Sequence, residues 1–98
     1  MLSKSKIKIV KSLKHKKNRI NSNLFIVEGV KSFNEVINSD YQIEFTVISN
    51  ETFSSYYSDK KLNNLYVVSS DEVKKLSSLH NNNSVISVVK KIKIENKL

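Results

Sequence analysis

The apolar residues of this chain are gathered into four short, β-branched-rich runs: Leu24–Glu28 (LFIVE), Ile43–Ile48 (IEFTVI), Leu65–Val68 (LYVV) and Val85–Lys91 (VISVVKK). Runs of this length suit buried strands and are too short to be core helices. Between them the apolar residues fall at helical spacing. Residues 3–17 are predicted as one helix, with Leu2, Ile9 and Leu13 on one face, Ile7 and Val10 widening it, and lysines elsewhere. Val30, Phe33, Val36 and Ile37 predict a second helix reaching about Ser39. Asn50 is expected to cap a third over Glu51–Lys61. Ser69 with Glu72 three residues on is a capping-box pattern that opens a fourth, running through Val73, Leu76 and Leu79. The alternation of helix and strand predicts an α/β fold: a three-layer α/β/α sandwich with a four-stranded mixed sheet and helices on both faces.

The punctuation of the chain is sparse. It has no proline and one glycine, Gly29, placed directly after the first strand and before a helix. A glycine there serves a special backbone angle or a close approach by another group. No internal linker or repeat is visible, so 98 residues make one domain. Residues 1–92 are expected to form it, and 93–98 (KIENKL) to begin an interdomain linker. With no cysteine, disulfides and thiolate metal sites are excluded. No apolar run approaches the ~18 residues of a membrane span. The lysine-rich start lacks the features of a secretory signal, so the cytoplasm is the expected location.

Charge is distributed one-sidedly. Residues 1–27 hold Lys4, Lys6, Lys8, Lys11, Lys14, Lys16, Lys17 and Arg19 and no acid, whereas the nine lysines and nine acids of residues 28–98 cancel. The whole net charge of +8 therefore lies in the first quarter of the chain. Such segregation is the footprint of a polyanion site, because each phosphate neutralised releases condensed counterions. The plainer alternative is a solvated basic helix face without a partner.

The opening IVKSLKHKKNR, then LFIVEG with VKSFNEVI behind it, then SSDEVKKLSSL leading into SVISVVKK, together resemble the substrate-binding domain of SpoU/TrmH-type RNA ribose 2'-O-methyltransferases. The family's basic KK-x-R stretch is matched by Lys16, Lys17 and Arg19, and its F-x-V-E-G motif by Phe25, Val27, Glu28 and Gly29. The resemblance implies the ribosomal-protein fold of kink-turn RNA binders, with Glu28, Gly29 and Lys31 at an RNA-recognition edge. It also implies that S-adenosylmethionine belongs to a knotted catalytic domain outside this chain, and that the full-length protein dimerises through that domain. This chain is expected to hold no cofactor and no catalytic residue. One departure stands out: the family's Pro-Gln-Gly before the last strand is replaced by Asn82, Asn83 and Ser84. Asn tolerates left-handed backbone angles, which is expected to preserve the loop.

The candidate RNA-binding residues are therefore Lys14, Lys16, Lys17, Arg19, Glu28, Gly29 and Lys31. Lysine and arginine contact phosphates, and a guanidinium does so bidentately. Glu28 has no His, Cys or second carboxylate beside it in sequence, so accepting hydrogen bonds from a base edge or a ribose hydroxyl suits it better than catalysis. Pairing with Lys31 or capping the following helix is its structural alternative. His15 supplements the basic run, and His80 is expected in a polar loop without a ligand role. Tyr56, Tyr57, Tyr66 and Phe45 fit packing better than base stacking. The expected partner is structured RNA, probable class ribosomal, with two further readings open: a free-standing ribosomal-type RNA binder, or a protein-interaction module using the basic helix.

Overall fold

The computed structural model describes residues 2–79 and 81–91. Five helices and four strands alternate as α1 (Lys4–Ser12), α2 (Lys16–Ser22), β1 (Leu24–Glu28), α3 (Val30–Ile37), β2 (Ile43–Ser49), α4 (Asn50–Thr52, continuing as a π-helical stretch over Phe53–Tyr57), β3 (Leu65–Val68), α5 (Ser70–Leu76) and β4 (Val85–Lys90). The sheet order is β1-β4-β2-β3. The last strand thus runs between the first two, antiparallel to both, and only β2 and β3 are parallel. The predicted three-layer mixed sheet is what forms.

Residue parity along the strands builds two cores. On one face Phe45, Val47, Val68, Ile86 and Val88 pack with Val10 of α1 and Val73 and Leu76 of α5. On the other, Ile48 and Val85 pack with Phe33 of α3 and Tyr57 of α4. Because β4 is central, Val85–Val89 are buried on both faces, and its one polar residue, Ser87, shares a hydrogen bond of 2.9 Å with the buried Thr46 hydroxyl. β1 lies at the sheet edge, so its five residues are only half-buried, contrary to the fully buried strand its apolar run predicts.

The predicted opening helix is two helices. Leu13 turns into the core and the chain breaks across Leu13–His15. The carbonyls released there are recovered by side chains of α2: Asn18 Nδ2 donates to Ser12 O at 2.9 Å and Arg19 Nη1 donates to Leu13 O at 2.9 Å. The polar stretch Asn18–Asn23, read as a breaker, is mostly helix, and it stops where Asn23 adopts a left-handed conformation (φ 61°). The buried face of α1 is Leu2, Val10 and Leu13, with Ile9 exposed rather than inward.

Other boundaries move for similar reasons. Ser49, one residue before the predicted cap, accepts from Thr52 N. α4 ends at Tyr57 instead of Lys61, as that ring enters the core. The Ser69–Glu72 cap forms as predicted, but α5 stops at Leu76 and Leu79 is exposed, because Ser77 and Ser78 turn away to meet Glu28.

Candidate nucleic-acid interface

Splitting the basic segment into two helices spreads its charge over a broader surface than a single helix would. Lys4, Lys8 and Lys11 of α1, Lys14 of the turn, and Lys16 and Lys17 at the start of α2 are exposed, and Arg19 is half-buried. Lys6 is also half-buried, its ammonium 4.9 Å from the Tyr66 ring centroid and 5.8 Å from that of Phe45. Among the described residues the one ion pair within 4 Å is Lys90 with Glu44, so none of the eight cations of the first quarter is neutralised by a carboxylate. His15 sits at the start of α2, exposed and without a capping hydrogen bond. His80 lies outside the described residues.

Lys14 and Arg19 meet β1 at a cleft of about 390 Å³, whose other walls are Leu13, Phe25, Ile26, Glu28 and Ser78. Of the sequence-predicted residues, Lys14, Arg19 and Glu28 are thus brought to one place. Gly29 follows Glu28 directly. Lys16, Lys17 and Lys31 do not line the cleft, and Lys31 is exposed on the first turn of α3.

Glu28 is engaged on all sides. Its carboxylate accepts from the Ser77 hydroxyl, from the Ser78 N–H (3.2 Å) and hydroxyl, and from Asn82 Nδ2 (2.9 Å). Burial by itself would raise the carboxyl pKa; the hydrogen bonds from Ser77, Ser78 and Asn82 outweigh it and hold the pKa below its ordinary value. A carboxylate offers about four acceptor positions, all taken here. Neither a bond to Lys31 nor a helix cap is involved. Glu28 instead ties the edge strand to the loop that precedes β4.

That loop keeps its shape by a route different from the left-handed asparagines expected of it. The positive-φ asparagines among the described residues are Asn23 and Asn64. Asn82 is buried, donates to Val85 O (3.1 Å) as well as to Glu28, and accepts from the N–H and hydroxyl of Ser84. Side-chain hydrogen bonds thus brace the position where proline and glycine were expected.

Gly29 has φ 91° and ψ 154°, a conformation strained for any L side chain. Its N–H donates to Val85 O and its carbonyl accepts from Phe33 N, both at 3.0 Å. A Cβ there would meet nothing within 4 Å, so the backbone angle, not crowding inside the domain, demands glycine. The residues missed by sequence reading are Ser77 and Ser78, together with the cleft walls Phe25 and Ile26. The F-x-V-E-G motif contains Phe25, but nothing local marks two serines some fifty residues away as partners of Glu28.

Residues 4–87 match the family model of the MRM3-like substrate binding domain. The chain belongs to that family. Solved structures agree in fold. A protein from Porphyromonas gingivalis, assigned to the TrmH family of RNA methyltransferases, aligns with TM-score 0.73 and 25% identity over 92% of this chain and 36% of its own. An RNA 2'-O ribose methyltransferase aligns with TM-score 0.73 and 21% identity over 98% of this chain and 38% of its own. The AdoMet-bound rRNA methyltransferase from Sinorhizobium meliloti gives 0.70 and 17% over 94% and 35%. The chain spans little more than a third of the length of these relatives. A search among curated proteins finds no match.

The described clefts do not suit S-adenosylmethionine. Lys14 and Arg19 line the one, and Lys61 and Lys90 line a second, also about 390 Å³, beneath the end of α3. Cations at both would repel the cofactor's sulfonium. No group of three potential metal ligands occurs among the described residues.

Proposed function

We propose that this chain is the RNA-binding, substrate-selecting domain of a longer SpoU/TrmH-type RNA ribose 2'-O-methyltransferase acting on ribosomal RNA. The observation that carries the reading is the group of eight cations on and between α1 and α2, without carboxylate partners, in a chain whose family is a substrate-binding domain. Unpaired surface cations gain little from the fold, whereas counterion release makes them effective toward phosphates. Lys14, Lys16, Lys17 and Arg19 hold the RNA backbone, and Lys31 extends the contact past the Glu28–Gly29 turn. Glu28 acts by fixing the Ser77–Asn82 loop. S-adenosylmethionine, the methyl-transfer chemistry and the homodimer contact belong to the remainder of the longer protein, which works in the cytoplasm.

The test is titration of the 98-residue chain with structured ribosomal RNA fragments over a range of salt concentrations. The expected log–log slope is about −0.9 for each duplex phosphate contacted, and shallower for single strands. Lys16→Ala with Lys17→Ala should make the slope shallower while leaving thermal stability unchanged. A salt-independent interaction, or a slope untouched by the double substitution, would refute the reading.

A further inference from the structure

The cleft between α2 and β1 has a composition that backbone binding alone does not use. Phosphate contact requires only the exposed lysines, yet here Lys14 and Arg19 stand at the mouth of a recess walled by Leu13, Phe25 and Ile26. Phe25 lies on an edge strand, half-buried, with its ring held edge-to-face against Tyr41 at a centroid separation of 5.5 Å and an angle of 74°. Tyr41 does not line the cleft, so Phe25 is braced from outside it.

The polar groups of the recess are set for hydrogen bonding. Arg19 Nη1 donates to Leu13 O, which fixes the guanidinium; its remaining donors have no hydrogen-bond partner among the described residues. Ser78 gives its hydroxyl proton to Glu28 and keeps lone pairs with which to accept. The volume, about 390 Å³, falls in the roughly 300–1,000 Å³ range of small-ligand pockets.

We infer that this cleft receives a single unpaired nucleotide of the bound RNA. Its base lies against Phe25 and Ile26, a base N–H donates to Ser78 Oγ, and its phosphate sits at Lys14 and the open side of Arg19. Aromatic and guanidinium surfaces are the groups on which unstacked bases are held, and a negative phosphate beside an apolar floor matches the division of the cleft. Glu28, with its acceptor positions filled, orients Ser78 and does not read the base. The inference rests on the RNA-binding reading and adds that the domain distinguishes RNA with a looped-out nucleotide from a perfect duplex.

The test compares the 98-residue chain on a perfect RNA duplex and on the same duplex with one bulged 2-aminopurine. The wild-type chain should favour the bulged RNA by about tenfold or more, the range of base–aromatic stacking, and should quench the 2-aminopurine fluorescence. Phe25→Leu, which keeps an apolar strand residue, should lose the preference and the quenching but retain salt-dependent duplex binding. Equal wild-type affinity for the two RNAs, or a Phe25→Leu chain that still prefers the bulge, would overturn the inference and leave the phosphate-binding reading standing. Failure of the wild-type chain to bind either RNA at low salt would overturn that reading, and the inference with it.

Discussion

Replacing Glu28 by Gln exchanges one acceptor oxygen for an NH2 group facing donors. The carboxylate now accepts from Ser77 Oγ, Ser78 N and Oγ, and Asn82 Nδ2. The carboxamide retains one oxygen and so supports about two of these bonds. The serine hydroxyls can rotate to accept, but a backbone N–H and an amide NH2 cannot. Hydrogen bonds to a buried charge contribute about 1.5–3 kcal/mol each. Since this carboxylate is only partly buried, water recovers much of the loss, and we expect a net destabilisation of about 2 kcal/mol. For a domain of this size that lowers Tm by roughly 8–16 °C.

Acid supplies the control. A carboxyl whose folded-state pKa is depressed contributes stability that is fully present above its unfolded pKa and is lost as pH falls through the folded value. The depressed pKa of Glu28 therefore makes the gap between wild type and E28Q widest near neutrality and narrower on acidification below about pH 4.5. Thermal unfolding followed by circular dichroism across that range reads both quantities. A loss under ~0.5 kcal/mol, ordinary for a surface change, or a gap that does not close in acid, would refute the structural role; unchanged stability with reduced RNA affinity would restore Glu28 as a direct reader of RNA.

Three further outcomes follow from the same geometry. Gly29→Ala should cost about 1–2 kcal/mol from backbone strain at φ 91°, without a clash, and denaturant midpoints of the two chains measure it. Ser87→Ala should destabilise by about 1–3 kcal/mol because it strands the buried Thr46 hydroxyl, while adding Thr46→Val should restore much of the loss; chemical denaturation of the single and double variants decides this. Arg19→Ala should cost about 1 kcal/mol, unlike Lys16→Ala or Lys17→Ala, because it removes the donor to Leu13 O at the α1–α2 break, and differential scanning calorimetry of the three variants checks the contrast.

Much of the local structure was legible from the residues. Period-two and helical spacings located the four strands and the Phe33/Val36 and Val73/Leu76 faces. The Ser69–Glu72 pattern located a helix start, and the lone glycine a strained turn. The F-x-V-E-G motif and the basic opening pointed to the family before any fold was known. The errors share a cause. Reading residues 3–17 as one helix failed because Leu13 gains more from the core than from continuing the helix, and because Asn18 and Arg19 satisfy the carbonyls at the break. Reading α5 through Leu79 failed because Ser77 and Ser78 serve a carboxylate on another element.

Composition and spacing by themselves determined the element types, the two-faced sheet and the concentration of positive charge in the first quarter, since each depends on neighbours a few residues apart. Tertiary structure alone decided that β4 enters between β1 and β2, which leaves β1 at an edge and opens the cleft beside Phe25. It also decided that Glu28 meets Ser77, Ser78 and Asn82 across 49 to 54 residues of chain. Strand order and such long-range hydrogen bonds are fixed by which faces must be buried together, a property of the packed whole that no local window of sequence contains.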